Sequence, residues 1–302
     1  MKYGQIEDTG HSTKHIIKPV IYHDTKCIIN HIMEGLKSMK TIAFGTLKGG
    51  TGKTAVAFNI GGILAEKHRV LCIDVDPQSN LTSNIGLDTT VQDAPSVRDI
   101  FEISSQATPE MLITVSPIPE LPNLDVIASH IRLTATEMQL VARAGREKIL
   151  QKWIQKYHEQ LKGYDYILID TNPSMGIVNQ NAFVAADSIV LVSDISEESK
   201  MGAMQFMYLW DEIREAYDLP NNVHALLLNN VDQRISQSGQ LWEYFLEDED
   251  FGDLLLKHFI PYRAHIKRTA PNCMPINVLA PKSDTCAAVR IVVDDLKERG
   301  VL

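Results

Sequence analysis

The stretch Thr46-Leu47-Lys48-Gly49-Gly50-Thr51-Gly52-Lys53-Thr54 collects the residue types that hold a polyphosphate. Glycines let successive backbone N–H groups turn inward around phosphate oxygens with no Cβ in the way. The segment follows the strand-like run Thr41-Ile42-Ala43-Phe44 and opens a helical pattern. The helix N-terminus adds positive partial charge at the same place. Lys53 can reach β- and γ-phosphates, and the Thr54 hydroxyl can ligate Mg²⁺. A Gly-rich turn without a ligand is the bland alternative, and Gly-Lys-Thr at a strand-to-helix junction argues against it. Gly49 through Lys53, with Thr54 and Ala55, are therefore the candidate nucleotide-binding residues.

Two carboxylate segments could complete such a site. Asp74 and Asp76 stand at the end of a second apolar run, followed by Pro77 and Gln78. Carboxylates at strand C-termini fall on the ligand-binding edge of an open parallel sheet. Alternation puts these two on one side if the strand geometry persists. The other segment is Tyr166-Ile167-Leu168-Ile169-Asp170, an apolar strand ending in the kind of carboxylate that anchors a hydrated Mg²⁺. Thr54, Asp76 and Asp170 are the candidate metal-holding residues. Alone, either segment could be an ordinary strand end; their order after the phosphate loop gives them meaning.

The general pattern GxxxxGK[ST] calls for glycine at position 47, where this chain has Leu47, and a second lysine, Lys48, precedes the glycine pair. With this KGGxGKT form, the chain resembles the ParA/MinD family of deviant Walker ATPases. The resemblance covers about residues 39–300 and is densest at the three nucleotide motifs. It implies ATP and Mg²⁺ as ligands and slow basal hydrolysis. It gives Lys48 a place across a dimer interface at the partner subunit's nucleotide, although a lysine there could also act in cis or stay solvated. Asp76 matches the position that orients the attacking water, with Lys48, Lys53 and Asp76 as the catalytic set. Asp74 matches a position nearer the Mg²⁺ and lysine network. Asn229, ending the run Leu226-Leu227-Leu228, matches a position that contacts the adenine edge. Asn172 departs from the family's Asp-x-Pro-Pro, which bears on the loop after Asp170.

The elements that must position these residues are legible. Strands are expected at Thr41–Gly45, Val70–Asp74, Leu124–Ala128, Tyr166–Asp170, Ser188–Val192 and His224–Asn229. Helices are expected at Lys53–Glu66, Ala135–Gln160, Ser199–Ala216, Gln237–Glu247 and Thr285–Arg299. The alternation predicts an α/β fold with a mainly parallel sheet and helices on both faces. Residues 1–38 read as a polar N-terminal extension, partly helical, ahead of one ATPase domain at 39–302.

The chain has 302 residues, 44% apolar and 22% charged, enough for a sizeable core. No apolar run approaches the roughly 18 residues of a spanning helix, and the polar start is unlike a signal peptide. Four scattered cysteines without a CxxC pair argue against a zinc ribbon and for a reduced, cytoplasmic setting. A net charge of −9 argues against a protein that coats nucleic acid over its whole surface. Charge is uneven, however. Residues 241–256 hold six acidic side chains and no Lys or Arg, whereas 257–302 hold eight basic against four acidic. That excess is either solvated surface or a footprint for phosphate-backbone contact, with Arg263, Lys267 and Arg268 the first candidates.

The family resemblance implies a ParA-type partition ATPase: an ATP-dependent homodimer that binds double-stranded DNA nonspecifically, sits on the nucleoid and answers to a ParB-like centromere-binding protein. A MinD-like membrane-positioning ATPase is the alternative. Two aspartates and no aromatic side chain in the last twelve residues make a poor membrane anchor, so no stable membrane association is expected.

Overall fold

Short apolar runs, buried on both faces, set the framework of this protein. The computed structural model describes residues 39–302 apart from 92, 103–104, 233–236 and 250, and the side chains of 237–241 are also outside the description. Residues 39–302 form one unit. The extension expected at 1–38 lies outside the described residues.

One sheet contains seven strands among the described residues: β1 (Lys40–Gly45), β2 (Val70–Asp74), β3 (Ile113–Thr114), β4 (Leu124–Ile127), β5 (Tyr166–Asp170), β6 (Ser188–Ser193) and β7 (Val223–Leu228). Their spatial order is β3-β4-β2-β5-β1-β6-β7. Every neighbouring pair is parallel except β3–β4. The flanking helices used below are α1 (Lys53–Leu64), α2 (Asn80–Asn84), α3 (Leu133–Leu140), α4 (Ile149–Lys156), α5 (Ile177–Ala185), α6 (Glu197–Ala216), α7 (Gln237–Leu246), α8 (Ala264–Thr269), α9 (Ile276–Leu279) and α10 (Asp284–Glu298). The expected α/β class with a mainly parallel sheet is the observed one.

Strand alternation divides the core into two layers. Ile42, Phe44, Val70, Cys72 and Leu168 join the layer under α1 and α10, with Val56, Ile60, Val289 and Val292. Ala43, Leu71, Ile73, Ile167 and Ile169 join the other, with Trp153, Phe183, Phe206 and Trp210 from α4, α5 and α6. Parity then sends Asp74 and Asp170, the next residues along β2 and β5, toward the α1 layer. Register completes the alignment: Phe44 pairs with Asp170, and Asp74 pairs with the same Asp170.

One expected element is corrected. The stretch Ala135–Gln160 is not a single helix but α3, a 3₁₀ turn at Arg146–Lys148, α4 and a last turn at His158–Leu161. Gly145 takes φ 67°, which no α-helix accommodates. Asn181 of α5 then restarts the helix from outside. Its Oδ1 accepts the backbone N–H groups of Ile149 (2.7 Å) and Leu150 (3.1 Å), and its Nδ2 donates to the carbonyls of Arg146 and Ile177. A side chain distant in sequence thus does the work of an N-cap. The two-residue strand β3 was too short to announce itself.

Asn181 is fully buried, so Asn181→Ala removes four hydrogen bonds to the backbone at once. It should cost about 2–4 kcal/mol, read as a lowered urea midpoint at an unchanged slope.

Candidate functional site

Backbone shape comes first in the loop between β1 and α1. Gly50 and Gly52 take φ 84° and 80°, the left-handed region that glycine enters without strain. At Gly52 a Cβ would stand 2.4 Å from Asn229 Nδ2, so space forbids one as well. Asn229 itself donates from Nδ2 to the Thr51 carbonyl at 2.7 Å. The residue just past β7 therefore braces the loop from below. Helix α1 starts from Gly52 with no side-chain cap and no acidic residue in its first turn. Its first N–H groups and its dipole are left for an anion. Lys53 and Thr51 are buried, Thr54 and Ala55 half-buried, and Gly49 and Gly50 exposed.

Lys48 has a set of partners from the start of α6 and the residues just before it. Its ammonium donates to Ser196 Oγ at 2.9 Å and stands 3.5 Å from Asp194 and 4.0 Å from Glu198. Ser196 in turn donates to Asp194 and caps α6 by accepting the Ser199 N–H. In this conformation Lys48 is held in cis. Sequence reasoning missed these anchors. The signal was a Ser followed by two glutamates at the end of an apolar strand, a helix-start signature on the edge that carries the site.

The carboxylates differ in what surrounds them. Asp74 is fully buried and occupied by the chain: Oδ1 accepts the Asp76 N–H (3.0 Å), and Oδ2 accepts the Thr82 N–H (2.9 Å) and hydroxyl (2.7 Å). It fastens the segment that carries Asp76 and α2 to the sheet. Asp76 accepts the Gln78 N–H at 2.8 Å, which fixes its side chain beside that turn. Asp170 is also fully buried, yet neither of its oxygens has a hydrogen-bond partner. Burial pushes the Asp170 carboxyl up, opposed by the charge of Lys53 and the nearby Thr54 hydroxyl. Burial also pushes Asp74 up, aided by the Asp170 charge.

A buried carboxylate with bare oxygens, next to a Thr hydroxyl and a lysine, is a donor set that suits a hard divalent cation with phosphate oxygens. After it, the loop that departs from Asp-x-Pro-Pro is closed by amides. Asn179 donates to the carbonyl and side chain of Asn172, both at 2.8 Å, and Ser174 donates to Asn172 Oδ1 at 2.5 Å.

The basic candidates lie elsewhere. Arg263 precedes α8, and Lys267 and Arg268 end it. Lys267 donates to the Tyr262 hydroxyl and lies 4.5 Å from that ring's centroid. Lys267 and Arg268 are exposed and Arg263 half-buried.

With this geometry in view, residues 39–223 match a family model described as an AAA domain. The sporulation initiation inhibitor protein Soj of Bacillus subtilis is 30% identical over 255 residues, spanning 81% of this chain and 92% of Soj. The chromosome partitioning protein ParA of Caulobacter vibrioides is 27% identical over 239 residues, spanning 79% of this chain and 86% of ParA. Among solved structures, a variant of McdA from Cyanothece in complex with ATP is similar at a TM-score of 0.74 and 20% identity, covering 86% of this chain and 96% of that one. That last likeness is one of fold.

The two raised carboxyls make stability depend on pH. Their folded values lie above the unfolded one, so the folded chain binds more protons; the stability this brings is complete below about pH 4 and is lost as pH rises through the raised values. Asp170→Asn removes the buried charge. Without nucleotide or Mg²⁺, it should exceed the parent by about 1–3 kcal/mol at pH 8 and by less at pH 5. Urea unfolding at both values reads the gap, and a gap independent of pH would refute this origin.

Proposed function

The chain belongs to the ParA/MinD family of deviant Walker ATPases, and from that premise we propose that it is an Mg²⁺-dependent partition ATPase. ATP joins two copies, the dimer holds duplex DNA without sequence preference, and a ParB-like centromere-binding protein speeds hydrolysis. The observation that carries the chemistry is Asp170: a fully buried carboxylate with two unpartnered oxygens, under the loop that presents Lys53 and Thr54. The name of the Caulobacter relative supports the partition role.

Asp170 and Thr54 would hold Mg²⁺, together with Asp76 at the neighbouring strand end. When bound, the cation supplies charge neutralisation on the phosphate oxygens. The glycine loop and the α1 N-terminus cradle the phosphates, and Lys53 stabilises the charge that develops on them. Asp76, fixed by the Gln78 N–H, orients the attacking water. Lys48 leaves Asp194 and Ser196 to reach the nucleotide of the partner copy, where a cation offsets two facing polyphosphates. Asn229, expected at the adenine edge, has its amide on the Thr51 carbonyl and braces the loop. No described helix is long and apolar enough to cross a membrane, and we place the protein in the cytoplasm, on the nucleoid when ATP-bound.

For chemistry, Asp76→Ala should keep ATP binding and lose at least about 100-fold in phosphate release, whereas Lys53→Ala should weaken binding itself. Hydrolysis at the parental rate by Asp76→Ala overturns the assignment.

For assembly, sedimentation of Asp76→Ala should give a dimer with ATP but not with ADP, and Lys48→Ala should diminish it. Filter retention of duplex DNA should follow the dimer, fall steeply with salt, and disappear in Arg263→Ala/Lys267→Ala/Arg268→Ala while dimerisation survives. A dimer that ignores DNA and sediments with anionic liposomes would instead make the protein MinD-like.

A further inference from the structure

Residues 75–81 form a loop whose two ends rest on one carboxylate. Asp74 accepts the Asp76 N–H on Oδ1 and, on Oδ2, both the N–H and the hydroxyl of Thr82. Between these ends the chain turns at Ser79, whose φ is 55° and whose N–H donates to the Asp76 carbonyl at 2.8 Å. Leu81 then enters the apolar layer under α1, fully buried. The chain thus leaves the sheet with Asp76 and returns, by Thr82, to the side chain it started from.

Thr82 does more than close this loop. It is buried, and its hydroxyl is used twice: it donates to Asp74 Oδ2 at 2.7 Å and accepts the Ser129 N–H at 2.9 Å. Ser129 lies just past β4, the strand beside β2. One hydroxyl therefore joins the ends of two neighbouring strands to the segment that carries Asp76. Other hydroxyls at hand take no part. Those of Ser96 and Ser129 are buried with no hydrogen-bond partner, although the Val97 N–H bonds the Ala128 carbonyl at 2.8 Å and brings both serines to the same place.

The terminal torsion of an aspartate is soft, so hydrogen bonds and not rotamer preference decide how its carboxylate is turned. Thr82 supplies two of the three donors on Asp74, and both fall on the same oxygen. With Oδ2 fixed by this pair, Oδ1 is fixed as well, and Oδ1 holds the Asp76 backbone. The phosphate loop lies between β1 and α1, whereas this network lies between β2 and α2, with β5 between the two strands. A change at Thr82 thus acts on the segment of Asp76 and leaves the hydrogen bonds of the phosphate loop in place.

We propose that Thr82 is a positioning residue for hydrolysis, acting through Asp74 on Asp76. This role presupposes Asp76 as the residue that orients the attacking water. Positioning of that kind is steep, since a displacement near 1 Å costs about 100-fold in rate. Thr82→Val keeps the branched shape and the backbone N–H, so the loop stays closed by one bond to Oδ2. It removes the second donor to Asp74 and the acceptor of the Ser129 N–H, and with them the hold on the carboxylate.

The test follows phosphate release by the full chain against ATP and Mg²⁺ concentration, with affinity for a fluorescent ATP analogue read separately. Thr82→Val should lower kcat about tenfold and leave KM and analogue affinity within about twofold. Thr82→Ala, a second variant without the hydroxyl, should match it, and Thr82→Ser should recover most of the rate. In single turnover with labelled ATP, Thr82→Val should slow Asp76→Ala no further, because the residue it positions is gone. Thermal unfolding of each variant fixes an assay temperature at which all are folded. Parental kcat in Thr82→Val, with Asp76→Ala impaired, overturns this proposal and leaves the reading of Asp76 standing. A loss in Thr82→Ser equal to that in Thr82→Val, or a full further loss in the Asp76→Ala background, makes the effect one of packing and overturns it too. An unchanged kcat with a raised Mg²⁺ requirement assigns Thr82 to the cation site and overturns it equally. Asp76→Ala at the parental rate overturns both readings.

Discussion

A negative charge buried without a hydrogen bond is among the most expensive things a protein can keep, and here it sits at the end of the central strand. Asp170 is held there by its neighbours on both sides, since β1 and β2 pair with β5 in a register that leaves Asp170 opposite Phe44 and Asp74. Lys53 offsets part of the cost through its charge. A bound divalent cation would offset the rest, and the Thr54 hydroxyl beside Asp170 suits one.

Two carboxylates of the same layer divide the labour. Asp74 accepts three hydrogen bonds from Asp76 and Thr82, so it shapes the segment that carries Asp76. Thr82 also accepts the Ser129 N–H, which links this segment to the residues just past β4, the strand beside β2. The segment is therefore tied down where it carries Asp76, whereas the buried oxygens of Asp170 accept no hydrogen bond.

Helix α6 is the other organising element. Its first turn holds Lys48 through Ser196, its next residues hold α7 through Lys200, and its middle buries Phe206 against Gly45, where a Cβ would come within 2.9 Å of the ring. One helix thus touches the start of the phosphate loop, the lysine ahead of it and the acidic surface beside α7. A displacement of α6 would be felt at all three.

The sequence alone carried the phosphate loop, the two aspartate-tipped strands and the parallel α/β class, because these rest on local properties: glycine's freedom, alternation, and apolar runs closed by a carboxylate. It also showed the acidic run at 241–256. The break in Ala135–Gln160 was not legible, for the cap that restarts α4 comes from Asn181, over thirty residues away. The same holds for the cis anchorage of Lys48 on Asp194 and Ser196, the bracing of Thr51 by Asn229, and the contrast between a hydrogen-bonded Asp74 and a bare Asp170. Each depends chiefly on which groups arrive from elsewhere in the chain, and only the packing of the sheet and its two helical layers decides that.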